Sequence, residues 1–263
     1  MDSGDNLIFV HGWATDSWVW EDTVRAIGAA NCKNINLPGH GGGYGWDEPT
    51  LAPALAEISK NISGLNEKSV IGIGWSLGAE ALLASALEDQ KRYKALVLVG
   101  ATPCFLEKED FPWGQPRALV KRMILDMKKE PAGAVNRFYP LNFTANELNS
   151  KAAEGFINRY SYPGPVNCSG EAPGCFPIFN YKGLTAALEA LFNTDLRPNL
   201  KLSLPILLVH GGLDTVCPVD AGKYLASRMK GAVIEIFENA GHAPFITEAE
   251  RFQKILRNFL DIL

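Results

Sequence analysis

Six short apolar runs, Leu7 to Val10, Asn34 to Leu37, Val70 to Ile73, Ala95 to Val99, Pro205 to Val209 and Val233 to Phe237, alternate with segments of helical spacing. Those segments are Trp18 to Ala29, Thr50 to Ile62, Leu77 to Leu87, Val219 to Met229 and Glu248 to Leu263. Strands that each return through a helix pair in parallel, so the alternation predicts an α/β fold. The sheet is mostly parallel, of about six strands, with helices on both faces. Ligands on such sheets gather beyond the C-terminal ends of the strands.

The alternation breaks between Thr102 and Asp195. Helical pieces near Pro116 to Lys129, Ala134 to Phe138, Ala145 to Tyr160 and Leu184 to Phe192 follow one another there, with a Pro/Gly/Cys-rich loop from Tyr162 to Pro177. Long insertions at strand C-termini commonly form lids or binding walls. The expected organisation is a core of residues 1–101 and 196–263 interrupted by a helical cap, or lid, over residues 102–195.

Val70 to Ile73 stops at Gly74 and a helical segment starts at Leu77, so Gly74-Trp75-Ser76-Leu77-Gly78 occupies a sharp strand-to-helix turn. In this G-x-S-x-G pattern the glycines allow close backbone approach, and the serine stands at a strained, exposed apex over a helix N-terminus that favours negative charge. An alcohol is a poor nucleophile at neutral pH and needs a base, which in turn needs an orienting acid.

Of four histidines, His242 fits best, because Gly241-His242-Ala243-Pro244-Phe245 follows the last strand. Asp214 ends His210-Gly211-Gly212-Leu213-Asp214 after the fifth strand. Asp195 and Asp220 are rival acids, but neither directly follows a strand and a Gly-Gly turn. His210 reads as a packed core residue, His40 as a loop-shaping one, and His11 as a structural hydrogen-bonding one. The remaining requirement is a pair of N–H donors for an oxyanion: Leu77, next to the serine, and Trp13, in the loop after the first strand. A serine nucleophile argues against dehalogenase or epoxide hydrolase chemistry, which uses a carboxylate at that apex. No cofactor or metal is implied.

Composition narrows the setting. A net charge of −4 over 263 residues gives no reason to expect nucleic acid or an anionic membrane as partner, and no apolar stretch approaches membrane-spanning length. The first residues carry no basic segment, so no signal peptide is expected. Five cysteines, Cys32, Cys104, Cys168, Cys175 and Cys217, form neither an even set nor a C-x-x-C pair, which fits a reducing cytoplasm better than a disulfide framework.

His11-Gly12-Trp13, Leu37-Pro38-Gly39, Gly74 to Gly78, Thr102-Pro103-Cys104-Phe105, Thr194-Asp195-Leu196-Arg197 and Gly241 to Ile246 together give the chain its likeness to known proteins. It resembles the α/β-hydrolase superfamily over nearly its whole length, and within it the pimeloyl-[acyl-carrier-protein] methyl ester carboxylesterases of biotin synthesis. The resemblance implies a serine carboxylesterase that hydrolyses the methyl ester of an acyl chain borne by acyl carrier protein. Trp13, Leu77 and Phe138 would line the acyl site, and basic lid residues would dock the carrier.

From Arg117 to Arg159 there are eight basic residues and four acids. Arg117, Lys121, Arg122, Arg137 and Arg159 are the docking candidates; solvated helix faces with internal pairs are the alternative reading of the same residues. The superfamily's two leading strands have no counterpart before Leu7, and the loop with Cys168 and Cys175 has none in the family. A general short-chain carboxylesterase, a hydrolase of another metabolite, and a noncatalytic binding protein of the same fold are the alternatives.

Overall fold

The computed structural model describes residues 5–42, 45–66, 69–161 and 180–263; the loop expected over Tyr162 to Pro177 lies outside them. Strands β1 (Asn6–Val10), β2 (Cys32–Ile35), β3 (Val70–Trp75), β4 (Tyr93–Val99), β5 (Ile206–Gly211) and β6 (Ala232–Phe237) form one sheet in the order β2-β1-β3-β4-β5-β6. Every pairing is parallel. From β1 the chain first steps outward to β2 and then returns to pair β3 on the other side of β1. The winding therefore reverses between β1 and β3, and a crevice is expected above those two strand ends.

The ten helices of the described residues are α1 (Glu21–Ile27), α2 (Ala52–Ile62), α3 (Leu77–Glu88), α4 (Arg117–Lys129), α5 (Pro131–Phe138), α6 (Lys151–Tyr160), α7 (Tyr181–Asn193), α8 (Val219–Arg228), α9 (Pro244–Thr247) and α10 (Ala249–Asp261). All six residues of β3 are buried, as expected for a central parallel strand covered on both faces. Helix α3 is buried from Leu77 to Ala86, and its Gly78, Ala79, Ala81, Ala84 and Ala86 keep it slim enough to lie in the core. On the outside, α10 buries Phe252, Leu256, Phe259 and Leu260, the spacing of one helical face. It packs on α1, and α2 packs on α3.

Helices α4 to α7 lie between β4 and β5. The two ends of this insertion meet: Cys104 and Asp195 form an antiparallel bridge, and Leu196 N–H donates to Pro103 O at 2.8 Å. Arg197 donates to both oxygens of Asp195 at 2.8 Å each, and Lys108 Nζ lies 2.6 Å from the same carboxylate. Burial would raise the Asp195 carboxyl, but these hydrogen bonds hold it well below the usual carboxylate range. Asp195 thus closes the insertion and is spent on that task.

Several boundaries differ from the sequence reading, among them Ala145 to Tyr160, which is a 3-10 turn over Glu147–Asn149 followed by α6, and three differences have a clear local reason. The second strand ends at Ile35, because the Leu37 N–H is taken by His11 Nε2 at 2.9 Å and not by a neighbouring strand. Trp18 to Ala29 is two elements: Asp16 caps a 3-10 turn over Ser17–Trp20, and α1 stops where Gly28 turns left-handed at φ 66°. Residues after His242 form the extra short helix α9. No helix among the described residues is long and apolar enough to cross a membrane.

Candidate active site

Ser76 joins β3 to α3 with φ 54° and ψ −119°. A β-carbon in this region costs of order 1–3 kcal/mol, so the surroundings must hold it. Ser76 N–H donates to Val99 O at the end of β4, and Ser76 O accepts from Glu80 N–H, both at 2.9 Å. The flanking glycines are required sterically: a Cβ on Gly74 would stand 2.7 Å from the Gly78 backbone, and one on Gly78 would stand 2.4 Å from the oxygens of Val10 and His11. The turn thus presses α3 against the ends of β1 and β3 and leaves Ser76 partly exposed.

Asp214 and His242 come together from the ends of β5 and β6. His242 Nδ1 lies 2.6 Å from Asp214 Oδ2, with both side chains buried. The other carboxylate oxygen accepts the N–H groups of Val216 and Cys217 at 2.8 Å each. Burial would raise the Asp214 carboxyl, yet its pairing with His242 and the hydrogen bonds from His210 and His242 hold it well below the usual carboxylate range. A carboxylate accepts, so the His242 proton sits on Nδ1 and Nε2 keeps its lone pair. Nε2 has no hydrogen-bond partner among the described residues, so no bond joins it to Ser76 Oγ here; such contacts often tighten only with substrate bound.

Several groups fix the imidazole. Trp75 Nε1–H donates to His242 O at 2.9 Å, and His242 N–H donates to Asn142 O at 2.8 Å. Gly100, at φ 57°, leaves room for the ring: a Cβ there would meet His242 Cε1 at 2.8 Å.

The other histidines have different tasks. His11 Nδ1–H donates to Gly12 O at 2.8 Å while Nε2 accepts from Leu37; burial lowers its pKa to about 4. His40 Nδ1–H donates to Pro38 O at 2.9 Å, and burial and the neighbouring His11 lower it to about 3. Both shape loops. His210 does more than pack: its Nε2–H donates to Cys217 O at 2.6 Å and lies 3.4 Å from Asp214 Oδ2. The i, i+4 spacing of His210 and Asp214 around the Gly-Gly turn was the available sequence signal for that contact.

Neither the Trp13 nor the Leu77 backbone N–H has a hydrogen-bond partner among the described residues. The Trp13 indole donates to Leu184 O of α7 at 2.8 Å, and its ring meets Phe138 edge-on with centroids 4.9 Å apart. Phe138 also lines a groove of about 380 Å³ between α4, α5 and the turn after Asp214, with Phe105, Val120, Met123, Leu141 and Val216 among its apolar walls and Arg122 and Arg137 beside them.

The five basic candidates are unequal. Arg117, Lys121, Arg122 and Arg137 are exposed, although Arg122 reaches Asp126 at 2.9 Å and Arg137 reaches Glu130 at 3.1 Å. Arg159 is half-buried, 3.5 Å from Asp16 and stacked 4.2 Å over Trp18.

A model of the alpha/beta hydrolase family matches residues 7–254. The chain belongs to this family. Relatives of this hydrolase include the pimeloyl-[acyl-carrier protein] methyl ester esterase of Nitrosomonas europaea, 29% identical over 255 residues that cover 95% of this chain and 93% of the relative. The protein of the same name from Vibrio atlanticus is 30% identical over 264 residues, covering 97% and 94%. In fold, the hydrolase matches an esterase from Exiguobacterium antarcticum with a TM-score of 0.82 at 22% identity, covering 99% of this chain and 93% of that one. A bromoperoxidase from Bacillus anthracis matches with a TM-score of 0.84 at 21% identity, covering 98% and 92%.

Proposed function

We propose that this alpha/beta hydrolase is a serine carboxylesterase in which Ser76 is the nucleophile, His242 the base and Asp214 its orienting acid. The observation that carries the reading is the buried 2.6 Å Asp214–His242 pair with Nε2 unpaired, at the same sheet edge as the strained Ser76 turn. Ser76 Oγ attacks the ester carbonyl carbon as His242 Nε2 takes its proton; the N–H groups of Trp13 and Leu77 receive the oxyanion. The bond to the alkoxy oxygen then breaks, and His242 returns the proton so that the alcohol leaves. Water, deprotonated by His242, then attacks the acyl-serine; the acyl–Oγ bond breaks, His242 returns the proton to Ser76 Oγ, and the carboxylate leaves.

For the substrate we propose the methyl ester of a dicarboxylic acyl chain on acyl carrier protein, which would place the enzyme in biotin synthesis. Support comes from the relatives of that name, which align over nearly the whole chain, and from the apolar groove of about 380 Å³ at Phe138, bordered by Arg122 and Arg137. We propose residues 102–195 as the cap over the core, and Arg117, Lys121, Arg122 and Arg137 as its docking face for the acidic carrier. Arg159, already compensated by Asp16, is the weakest of the five candidates. Free thiols at Cys32, Cys104 and Cys217 suit a reducing cytoplasm.

The test uses a fluorophosphonate probe and ester turnover together. The parent enzyme should label at Ser76 and hydrolyse the ester, and Ser76→Ala should lose both while keeping its fold. Turnover retained in Ser76→Ala would end the assignment, and an unreactive parent would point to a noncatalytic binding protein.

A further inference from the structure

The His242 loop is held from outside the core by one acidic side chain that no catalytic step uses. Glu147 lies between α5 and α6. Its Oε2 accepts from Gly241 N–H and from Thr144 N–H at 2.8 Å each, and its Oε1 accepts from the Thr247 hydroxyl. Gly241 immediately precedes His242 and Thr247 ends α9, so one carboxylate bridges both ends of the segment that carries the imidazole. The fit is close: a Cβ on Gly241 would stand 2.8 Å from Asn142 O and 3.1 Å from Glu147 Oε2. Asn142 O, five residues before Glu147, accepts the His242 N–H itself at 2.8 Å.

All three donors to Glu147 are neutral N–H and O–H groups, so the carboxylate is held at this loop by hydrogen bonds and not by an ion pair. On the core side the same loop is held by Trp75 and Asp214, by Leu213 N–H donating to Ala240 O at 3.0 Å, and by Phe245 stacked on Trp20. We infer that Glu147 is a positioning residue, a clamp from the α4–α7 insertion that sets where His242 stands relative to Ser76. This rests on the reading of His242 as the base. Its consequence is that the geometry of proton transfer is shared between core and cap, so that a load on the cap is felt at the imidazole. Misplacing a catalytic group by about 1 Å can cost on the order of 100-fold in rate.

The experiment measures kcat and KM for p-nitrophenyl acetate, and the rate of fluorophosphonate labelling of Ser76, in Glu147→Ala, Glu147→Gln, Thr247→Val and His242→Ala. The small ester removes any contribution from carrier docking. Glu147→Ala should lower kcat and the labelling rate together by about 10- to 100-fold with KM changed by less than about threefold. Glu147→Gln, which keeps one acceptor oxygen, should recover part of the loss, and Thr247→Val should show a smaller loss of the same kind. Urea unfolding shows the folded fraction at the assay temperature, and if Glu147→Ala does not fold, the Gln and Val variants decide.

Kinetics within about twofold of the parent in folded Glu147→Ala, or losses that merely follow the folded fraction, would overturn the clamp. His242→Ala separates this from the underlying reading. If it labels as fast as the parent, His242 is not the base. If it is inert while the Glu147 variants match the parent, only the clamp fails.

Discussion

At the scale of single residues, burial gives the histidines a sign that can be checked. His11 and His40 titrate at about 4 and about 3 when folded, against 6.5 for an ordinary histidine. Between 6.5 and those values the unfolded chain binds protons that the folded chain refuses. Stability is therefore fully present above pH 6.5 and falls as the pH drops through the window, by up to about 1.4 kcal/mol per pH unit for each ring. From pH 7 to pH 5 the two rings weaken the parent while the raised Glu80 carboxyl works in the opposite direction. Urea unfolding is therefore compared with His11→Gln, which has no proton to refuse and should lose less stability than the parent over that range. An equal slope in the variant would contradict the burial argument. The placement of Ser76, Asp214 and His242 beyond the ends of β3, β5 and β6 was legible in the sequence, because the apolar runs mark where those strands stop. The His210 contact with Asp214 depends on how the Gly211-Gly212 turn folds back. Glu147 left only the local signal of a Thr144-x-x-Glu147 capping box; its contacts with Gly241 and Thr247, 94 and 100 residues away, arise only in the folded chain.

At the scale of elements, α3 carries a buried acid one turn after the serine. Glu80 is 1% exposed, with Oε1 unpaired among the described residues. Burial, and then the charge of Asp195, push its carboxyl well above 4.5. A raised carboxyl has the opposite linkage to the histidines: its contribution is intact below pH 4.5 and is lost as the pH rises toward the folded value. Glu80→Gln should therefore stabilise the fold, with a gain that grows from pH 5 to pH 8 by up to about 1.4 kcal/mol per unit while the parent carboxyl stays protonated. A gain independent of pH would mean that the carboxyl is ionised in place.

The elements themselves were readable where periodicity was strong, as in β3, β4 and α10. They were misread where the backbone found a side-chain partner instead, as Leu37 does with His11 and Trp18 does with Asp16. Helix α9 has only four residues, too few to leave a period.

At the scale of the molecule, a chain of net charge −4 carries an excess of four positive charges between Arg117 and Arg159. That contrast, and the break in strand–helix alternation, were visible in the sequence. What was hidden is how the charges are spent, because pairs such as Arg159 with Asp16, 143 residues apart, exist only once the insertion rests on the loops above β1. Reversing Arg117, Lys121 and Arg122 together to Glu should lower kcat/KM for a carrier-bound ester by about tenfold or more at low salt. The effect should shrink as salt screens it, and p-nitrophenyl acetate hydrolysis should stay unchanged. Equal losses on both substrates would place the damage in the fold and not in docking.

The decisive measurement is mass spectrometry of acyl carrier protein bearing a pimeloyl methyl ester, mixed with the parent enzyme and with Ser76→Ala, alongside the same methyl ester on a short free thiol. The parent should convert the carrier conjugate to the free carboxylate, with a kcat/KM well above that for the free thioester, while Ser76→Ala leaves it intact. Equal rates on the two methyl esters, or demethylation by Ser76→Ala, would contradict the assignment.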